Sequence, residues 1–571
     1  MAPTITYALK DPVPQDFLTS HDALTRQLLW NRGIATEEAV EAFLRPNYDL
    51  HLHDPFLLTD MHRAVSRTGE ALKNDERIGI YSDYDCDGIP GGVILHDLFT
   101  MLGFTNFENY IPHRHHEGFG FSVSAVEKLA ERGAKLIITV DCGTVDHDAV
   151  TRANELGVDV IITDHHEPGG TLPSAHAVLN PKRDDAYPFA GLCGAGVAYK
   201  FAQALIAEGK KNGSVTLGDG QEKWLLDMVG LATIADMVPL VGENRVFAHY
   251  GLTVLRKSRR PGLQHLLRAT RTNQRNLTED DIGFTIAPRI NAASRMDTPE
   301  DAFHMLATTD EVEAGTRASH LEKLNNERKG VVASMAKEIK KRIQAEGTLP
   351  PIIVMGNPEW KPALVGLAAN SLVETYKRPA FLWGRDGQGI IKGSCRSDGE
   401  QSVVALMEEA SDAFLEFGGH HGAGGFSVDG AKIHTLSDSL CGAHEKLAEK
   451  GVVRLHEEFV DADLALSDIT YAVLRTLKTL APYGEGNAKP LFRFKGVAPS
   501  RVEVFGKTKN HTRIVFEGEG KPLEAISFFK TPEDFLVTPE AGKEITLIGN
   551  IEESSFMGRT QTRIRIVDVL A

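Results

Sequence analysis

Four short apolar runs constrain this chain most: RIGIYSD at 77–83, KLIITVD at 135–141, VDVIITD at 158–164 and AHAVLNP at 175–181. Between them lie helix-like stretches such as GGVILHDLFTMLGF and VSAVEKLAERGA. Runs that are apolar on both faces and spaced for crossover helices predict a parallel sheet covered by helices on each side. Three of the runs end in aspartate. Ligands of open parallel sheets bind beyond the carboxyl ends of the strands, so Asp83, Asp141 and Asp164 are expected to face one crevice.

The first run leads into DYDCDG, with Asp83, Asp85 and Asp87 at alternate positions. Carboxylates this close repel one another unless cations or donors sit between them. A lone aspartate after a strand is ordinarily a turn former or a helix cap, and a lone histidine is ordinarily a satisfied, partly buried one. Four aspartate-bearing motifs, DYDCDG, VDCG, TDHH and TIADMVP, are harder to explain that way. Asp85, Asp87, Asp141, His165 and Asp236 offer oxygen ligands with one imidazole, a set that suits Mg²⁺ or Mn²⁺. Two such cations about 4 Å apart can activate a water and stabilise the leaving oxygen of a phosphoryl displacement.

A chain of 571 residues has room for three or four domains. Charged residues at 25% and hydrophobic residues at 42% give no reason to expect extensive disorder. The net charge of −16 argues against a nucleic-acid partner only weakly, because carboxylates spent on metal leave room for a locally basic groove. No run is long enough to span a membrane, and MAPTITYALKDPVPQDF lacks the basic flank and apolar core of a secretory leader. Five scattered cysteines form no paired spacing, which fits a reducing cytoplasm.

Residues 1–50 read as an N-terminal helical segment, with Thr36 capping a helix that ends before Pro46. The aspartate motifs fill 51–305. At 306–347, Leu321, Leu324, Val331, Met335, Ile339 and Ile343 form one stripe of a long connecting helix. Strand-like PIIVMG, PAFLWG and GIIKGSC open a second α/β domain over 348–455, closing with FGGHHGAGGF. The runs PLFRFKGV, RVEVFG, TRIVFEG, EITLIGNI and TRIRIVDVL suggest a small oligonucleotide-binding barrel over 456–571. Arg501, Lys507, Lys509 and Arg513 are candidate cations on its surface.

The ordered set RGI…FLRP, LHDPFLLTDM, SDYDCDG, IPHRHHEGFG, VDCG, TDHH, LCGAGVAYK, TIADMVPLVGENR, PRINAASRMD, KGSCRS, FGGHHGAGGF and APYGEGNAKPLF resembles the DHH phosphoesterase family, named for the motif Asp164-His165-His166. Within it, the chain is similar to the bacterial single-strand-specific 5′→3′ DNA exonucleases over almost its whole length. The resemblance implies a parallel-sheet DHH domain, a second α/β DHH-associated domain and an OB-like barrel. It implies two Mn²⁺ or Mg²⁺ ions held by Asp83, Asp85, Asp87, Asp141, His165 and Asp236, with Asp141 bridging. Asp87, Asp141 and His166 would be catalytic, His166 meeting the scissile phosphate or assisting the leaving group. Arg114, Arg289, Asn291, Arg295, Ser394, Arg396 and His420 would bind phosphate or DNA; guanidinium forks suit phosphate oxygens. Single-stranded DNA is the implied substrate of a monomer, with a single-strand-binding protein and a helicase as implied partners.

Two other readings stay open: a hydrolase of short oligonucleotides or small phosphoesters, and a non-catalytic replication or repair scaffold. The barrel weighs against the first and the intact carboxylates against the second. Cys86 stands where the family motif usually has a small apolar residue and is expected to be buried filler. Gly91 and Gly92 are expected to weaken the helix they begin.

Overall fold

The computed structural model describes residues 6–387, 389–449, 457–506, 508–517, 522–556 and 559–571. They divide into two compact units, one comprising chiefly His53–Val238 and Tyr250–His456, the other Ile5–Leu52, Pro239–His249 and Glu457–Ala571.

The first unit contains a five-stranded parallel sheet ordered Phe107–Tyr110, Ile78–Ser82, Leu136–Val140, Asp159–Thr163, Ala177–Leu179. Ile78–Ser82 and Leu136–Val140 are buried along their whole length, as strands covered on both faces must be. The register pairs Ser82 with Val140 and Val140 with Thr163, so the residues that follow these three strands emerge side by side.

The paired glycines of the helix Gly88–Met101 serve its packing. A Cβ on Gly91 would lie 2.5 Å from Val140 Cγ1 and 3.2 Å from Ala195 Cα, and one on Gly92 would lie 2.8 Å from Ser82 Oγ. Their bare backbone lets this helix lie directly on the sheet and on the helix Gly194–Asn212, which a side chain at either position would prevent. Cys86 is buried, as expected.

A single helix, Glu311–Glu346, follows, about 54 Å long at 1.5 Å per residue. Its expected stripe is buried except at Val331, which is 36% exposed. The second sheet of this unit is mixed, ordered Glu416–His420, Ala423–Val428, Ile391–Arg396, Ala380–Arg385, Ile353–Gly356. The glycine-rich FGGHHGAGGF forms the hairpin at one edge.

The second unit is built on a seven-stranded sheet ordered Ala462–Asp463, Phe492–Val497, Ile545–Phe556, Arg559–Leu570, Leu523–Ser527, His511–Phe516, Arg501–Phe505. Leu523–Ser527 went unrecognised in the sequence. Phe492, Phe494, Phe516 and Leu547 form its core together with Leu28, Leu29, Val40 and Phe43 from the N-terminal helices. The N-terminal segment is not wholly helical: Thr6–Leu9 is a strand that pairs in parallel with Glu457–Val460, so a distant partner decides its conformation. Thr36 caps its helix by accepting the Ala39 N–H. Arg501 and Arg513 both pair with Glu503, which leaves them less available to a ligand than the sequence suggests. Lys507 lies outside the described residues. No described helix is long and apolar enough to cross a membrane.

Candidate metal centre and its anion-binding wall

Asp83, Asp141 and Asp164 continue the main-chain ladder of the first sheet. Asp83 N donates to Val140 O at 3.1 Å, Asp141 N to Thr163 O at 2.8 Å and Asp164 N to Leu179 O at 3.0 Å. All three side chains are buried. Asp141 has φ +62°, a left-handed conformation that costs a non-glycine residue about 1–3 kcal/mol and persists only when its surroundings enforce it. The turn is pinned from below by Thr139 Oγ1, which donates to Cys142 O at 2.7 Å.

Asp85 folds its loop inward, its Oδ1 accepting the N–H groups of Asp87 at 2.8 Å and Gly88 at 3.2 Å. Asp87 in turn accepts from the first N–H groups of the helix Gly194–Asn212, Gly194 at 2.6 Å and Ala195 at 2.8 Å. Helix N-termini carry unsatisfied donors and partial positive charge, so a carboxylate is stabilised there. His165 Nε2 stands 3.2 Å from Asp141 Oδ1, 3.7 Å from Asp87 Oδ2 and 3.8 Å from Asp236 Oδ2.

Two neighbouring sets result, Asp83 with Asp85 and Asp141, and Asp87 with His165 and Asp236; in each, the candidate ligand atoms lie within 4.8 Å of one another. The electrostatics call for cations. Burial, then neighbouring carboxylates, raises the Asp141 pKa far above the ordinary range; the same two causes raise Asp83 and carry Asp236 to about 9. Asp83 Oδ1 and Asp141 Oδ1 are buried with no hydrogen-bond partner. Orphaned, mutually repelling oxygens beside one imidazole fit hard divalent cations such as Mn²⁺ or Mg²⁺.

Asp164 belongs to neither set. Its Oδ1 accepts from His165 N at 2.7 Å, His166 N at 3.2 Å and His166 Nδ1 at 2.7 Å, and its Oδ2 from Thr144 N at 3.0 Å. It organises both histidines without facing the cluster, a role the motif alone did not disclose. Although burial opposes it, the hydrogen bond from His166 holds Asp164 well below the usual carboxylate range. Burial likewise disfavours the His166 cation, yet Asp164 raises its pKa above the ordinary value.

The residues expected at phosphate fall into groups. Arg114 lies over the Tyr84 ring, 4.8 Å from its centre. Arg295 Nη1 donates to Ala363 O at 2.7 Å, tying the helix Ala287–Met296 to the helix Pro362–Tyr376 that packs on the second sheet. Arg396 Nη1 donates to Ser394 Oγ at 2.9 Å and to Cys395 O at 2.8 Å. A Cβ on Gly366 would lie 2.8 Å from Ser394 Oγ and 3.1 Å from Arg396 Nη2, so that helix can approach only as glycine. Burial and the Arg114 charge push Arg295 down to about 9, with Arg396 adding to the effect. Among the described residues, none of these three guanidiniums is ion-paired with a carboxylate.

The remaining candidates are placed differently. Arg289 is committed to the protein, donating Nε to Glu322 at 2.5 Å and Nη1 to Thr285 O at 2.7 Å. That pairing braces the helix Ala287–Met296 on the long helix Glu311–Glu346. Asn291 Oδ1 accepts the Cys86 N–H at 2.9 Å and so supports the aspartate loop. His420 is exposed on the edge hairpin, where its Nδ1 accepts from Gly422 N at 3.2 Å. Sequence reading overlooked Phe119, 60% exposed, whose ring centre is 5.6 Å from that of His166 and 6.4 Å from that of Tyr84. The only signal for it was an aromatic within the glycine-flanked EGFGF.

Comparison with known proteins follows the same division. The family model described as the DHH family, N-terminal domain, matches residues 77–233, the DHHA1 domain matches 349–444 and the RecJ OB domain matches 460–568. The single-stranded-DNA-specific exonuclease RecJ of Bacillus subtilis is 35% identical over 95% of this chain and 67% of its own. That of Dickeya dadantii is 31% identical over 99% of this chain and 97% of its own. The structure of RecJ from Thermus thermophilus in complex with Mn²⁺ superposes with a TM-score of 0.82 at 28% identity, covering 99% of this chain and 80% of that one. Its Mg²⁺ complex gives 0.75 at 26% identity, covering 99% and 78%.

Proposed function

The chain belongs to the RecJ family of single-stranded-DNA-specific exonucleases, and from that membership we propose that it degrades single-stranded DNA from the 5′ end to 5′-mononucleotides, in DNA repair and recombination. One observation carries the hydrolytic reading: the buried carboxylates around Asp141 include orphaned oxygens and mutually raised pKa values, a repulsion that bound cations relieve.

The cofactor is Mn²⁺ or Mg²⁺. Asp83, Asp85 and Asp141 would hold one ion and Asp87, His165 and Asp236 a second, with Asp141 shared. When bound, the pair supplies an activated water and neutralises charge developing on the phosphoryl oxygens. The chain does the rest. Asp164 engages Nδ1 of His166, which leaves the other ring nitrogen to hold a proton toward the scissile phosphate or the leaving oxygen. Arg114, Arg295, Arg396 and Ser394 bind the strand's phosphates through charge-assisted hydrogen bonds. Arg289 and Asn291 keep the walls in place. Phe119 offers a face on which a base can stack without regard to sequence. His420 is a contact from the second sheet.

The sheet domain at 51–305 and the second domain at 348–455 would form the catalytic part, and the OB domain would add affinity for the strand. Five free thiols support work in a reducing cytoplasm. The protein acts as a monomer, with a single-strand-binding protein and a helicase as its partners by family resemblance.

The test uses metal-stripped protein, single-stranded DNA labelled at either end, added Mn²⁺ or Mg²⁺, and Asp141→Ala as control. Mononucleotides released progressively from the 5′ label, only with metal and only by the wild type, are expected. Cleavage confined to very short oligonucleotides would make the chain a small-substrate hydrolase. DNA binding without cleavage would make it a scaffold.

A further inference from the structure

The segment His113-Arg114-His115-His116 lies in the loop between the strand Phe107–Tyr110 and the helix Val123–Glu131, and its arginine is one of the guanidiniums assigned to phosphate. The loop is closed on itself. His116 N and Glu117 N donate to His113 O at 3.0 and 2.8 Å, and His115 N donates to His113 Nδ1 at 3.2 Å. The Glu117 carboxylate accepts from His113 N and from Lys128 Nζ, each at 2.8 Å. The far end is tied down by Tyr81 Oη, which donates to Gly120 O at 2.7 Å, and by Asp146, which accepts from Phe121 N at 2.7 Å.

Those bonds stay within the first sheet and its connections, whereas one other crosses to the helix Ala287–Met296. His115 Nε2 lies 3.2 Å from Arg295 O. A carbonyl oxygen can only accept, so Nε2 carries the proton. The sequence explains why this carbonyl takes its donor from outside the helix. Continued helix would satisfy Arg295 O from the N–H four residues on, and that residue is Pro299, which has none. The helix stops at Met296, with Asp297 N donating back to Ala293 O at 2.8 Å. Burial, joined by the charges of His113, Lys361 and Arg114, holds the His115 pKa below its ordinary value although the bond to Arg295 opposes it, so the ring donates as the neutral tautomer at neutral pH.

Arg295 is thereby held at both ends, its main-chain oxygen by His115 and its guanidinium by Ala363 O at 2.7 Å. The residue before His115 is Arg114, whose guanidinium lies 4.8 Å from the centre of the Tyr84 ring, and Tyr84 stands between Asp83 and Asp85. One hydrogen bond thus joins two elements, a loop that rests on the turn of the metal centre and a helix tied to Pro362–Tyr376. Each carries a guanidinium without a carboxylate partner among the described residues. The phosphates of a strand are spaced by its own backbone, so two such groups serve it best at a fixed separation.

We propose that His115 is a positioning residue: through Nε2 it fixes the loop bearing Arg114 against the helix bearing Arg295, and so sets the separation at which these two side chains receive the phosphates of the strand. This role rests on the nuclease reading above.

The experiment compares the wild type with His115→Gln, whose amide nitrogen reaches about as far as Nε2 and still donates, and with His115→Phe, which keeps a ring and loses the donor. KM and kcat are measured on a single-stranded oligodeoxynucleotide with Mn²⁺. His115→Phe should raise KM roughly fivefold, the worth of one hydrogen bond, with a smaller change in kcat, and His115→Gln should stay within about twofold of the wild type. In an Arg114→Ala background, His115→Phe should have little further effect on KM, because the group it positions is gone; independent effects would multiply. His115→Asn, whose amide falls short of the carbonyl, replaces the phenylalanine variant in both comparisons should that variant fold poorly. A residue that merely fills space would give the reverse order, with phenylalanine near the wild type and glutamine impaired. That order, equal KM values throughout, or full multiplication with Arg114→Ala would each overturn the role of His115, while DNA cleavage by the wild type would leave the nuclease reading standing. If the wild type neither binds nor cleaves DNA with either metal, the nuclease reading fails and the role of His115 falls with it.

Discussion

Gly194 and Asp141 stand so close that a methyl group on the first would lie 2.5 Å from Cβ of the second. The same glycine donates its N–H to Asp87, so one bare Cα lets a helix terminus reach between two carboxylates of the cluster. Gly194→Ala must displace one of them. Turnover should fall roughly 100-fold, as it does for displacements near 1 Å, and stability should drop by about 1–3 kcal/mol. Steady-state kinetics with a thermal melt would check both; wild-type values in each would sink the argument.

Metal removal should make stability depend on pH with a definite sign. A carboxyl whose folded-state pKa lies above its unfolded value binds more protons when folded, so stability falls as pH rises between the two. Asp236, raised to about 9 by burial and then by Asp87 and Asp85, opens that window from its unfolded value of about 4. The metal-free protein should lose thermal stability steadily across it, and added Mn²⁺ should flatten the trend. Melting curves at several pH values, with and without the ion, give the answer.

Asp164→Asn keeps the side chain's shape and removes the charge that holds His166. Such outer partners of a reacting group typically contribute about 10–100-fold, so kcat should fall by that factor while the Mn²⁺ concentration needed for half-activation changes less. The pH limb governed by His166 should move to lower pH, because its stabilising anion is gone. An unchanged pH profile would mean that His166 does not titrate in the reaction.

Phe119→Ala should raise KM for single-stranded DNA by the equivalent of about 1–3 kcal/mol, the usual worth of one base on an aromatic face. Phe119→Trp should restore it. Equal KM values for all three proteins would show the ring to be a wall of the site and no more.

The parallel sheet and its aspartates were legible because a doubly covered strand is apolar throughout and its end is marked by the first polar residue. Asp83, Asp141 and Asp164 could be read directly from that pattern. What the sequence concealed depends on distant partners. The strand Thr6–Leu9 exists because Glu457–Val460 pairs with it. The pairing of Arg289 with Glu322 joins two helices across the chain, which no local spacing announces. Gly91 and Gly92 looked like weaknesses because propensity is local, whereas their use is a contact with Val140 and Ser82. Asp164 was visible as a motif, but its role as holder of two imidazoles is a matter of direction, which no spacing encodes.

The in-register ends of Ile78–Ser82, Leu136–Val140 and Asp159–Thr163 make the sheet a ruler. Neighbouring strands lie about 4.8 Å apart because main-chain hydrogen bonds set that interval. The carboxylates that begin immediately beyond those ends inherit their spacing from the peptide backbone and not from side chains around them. Core residues beneath can therefore drift among Ile, Val and Leu without retuning the distance between Asp83 and Asp141. A change of that distance would require a slipped strand, and a slip of one residue would turn every buried side chain of the strand to the wrong face.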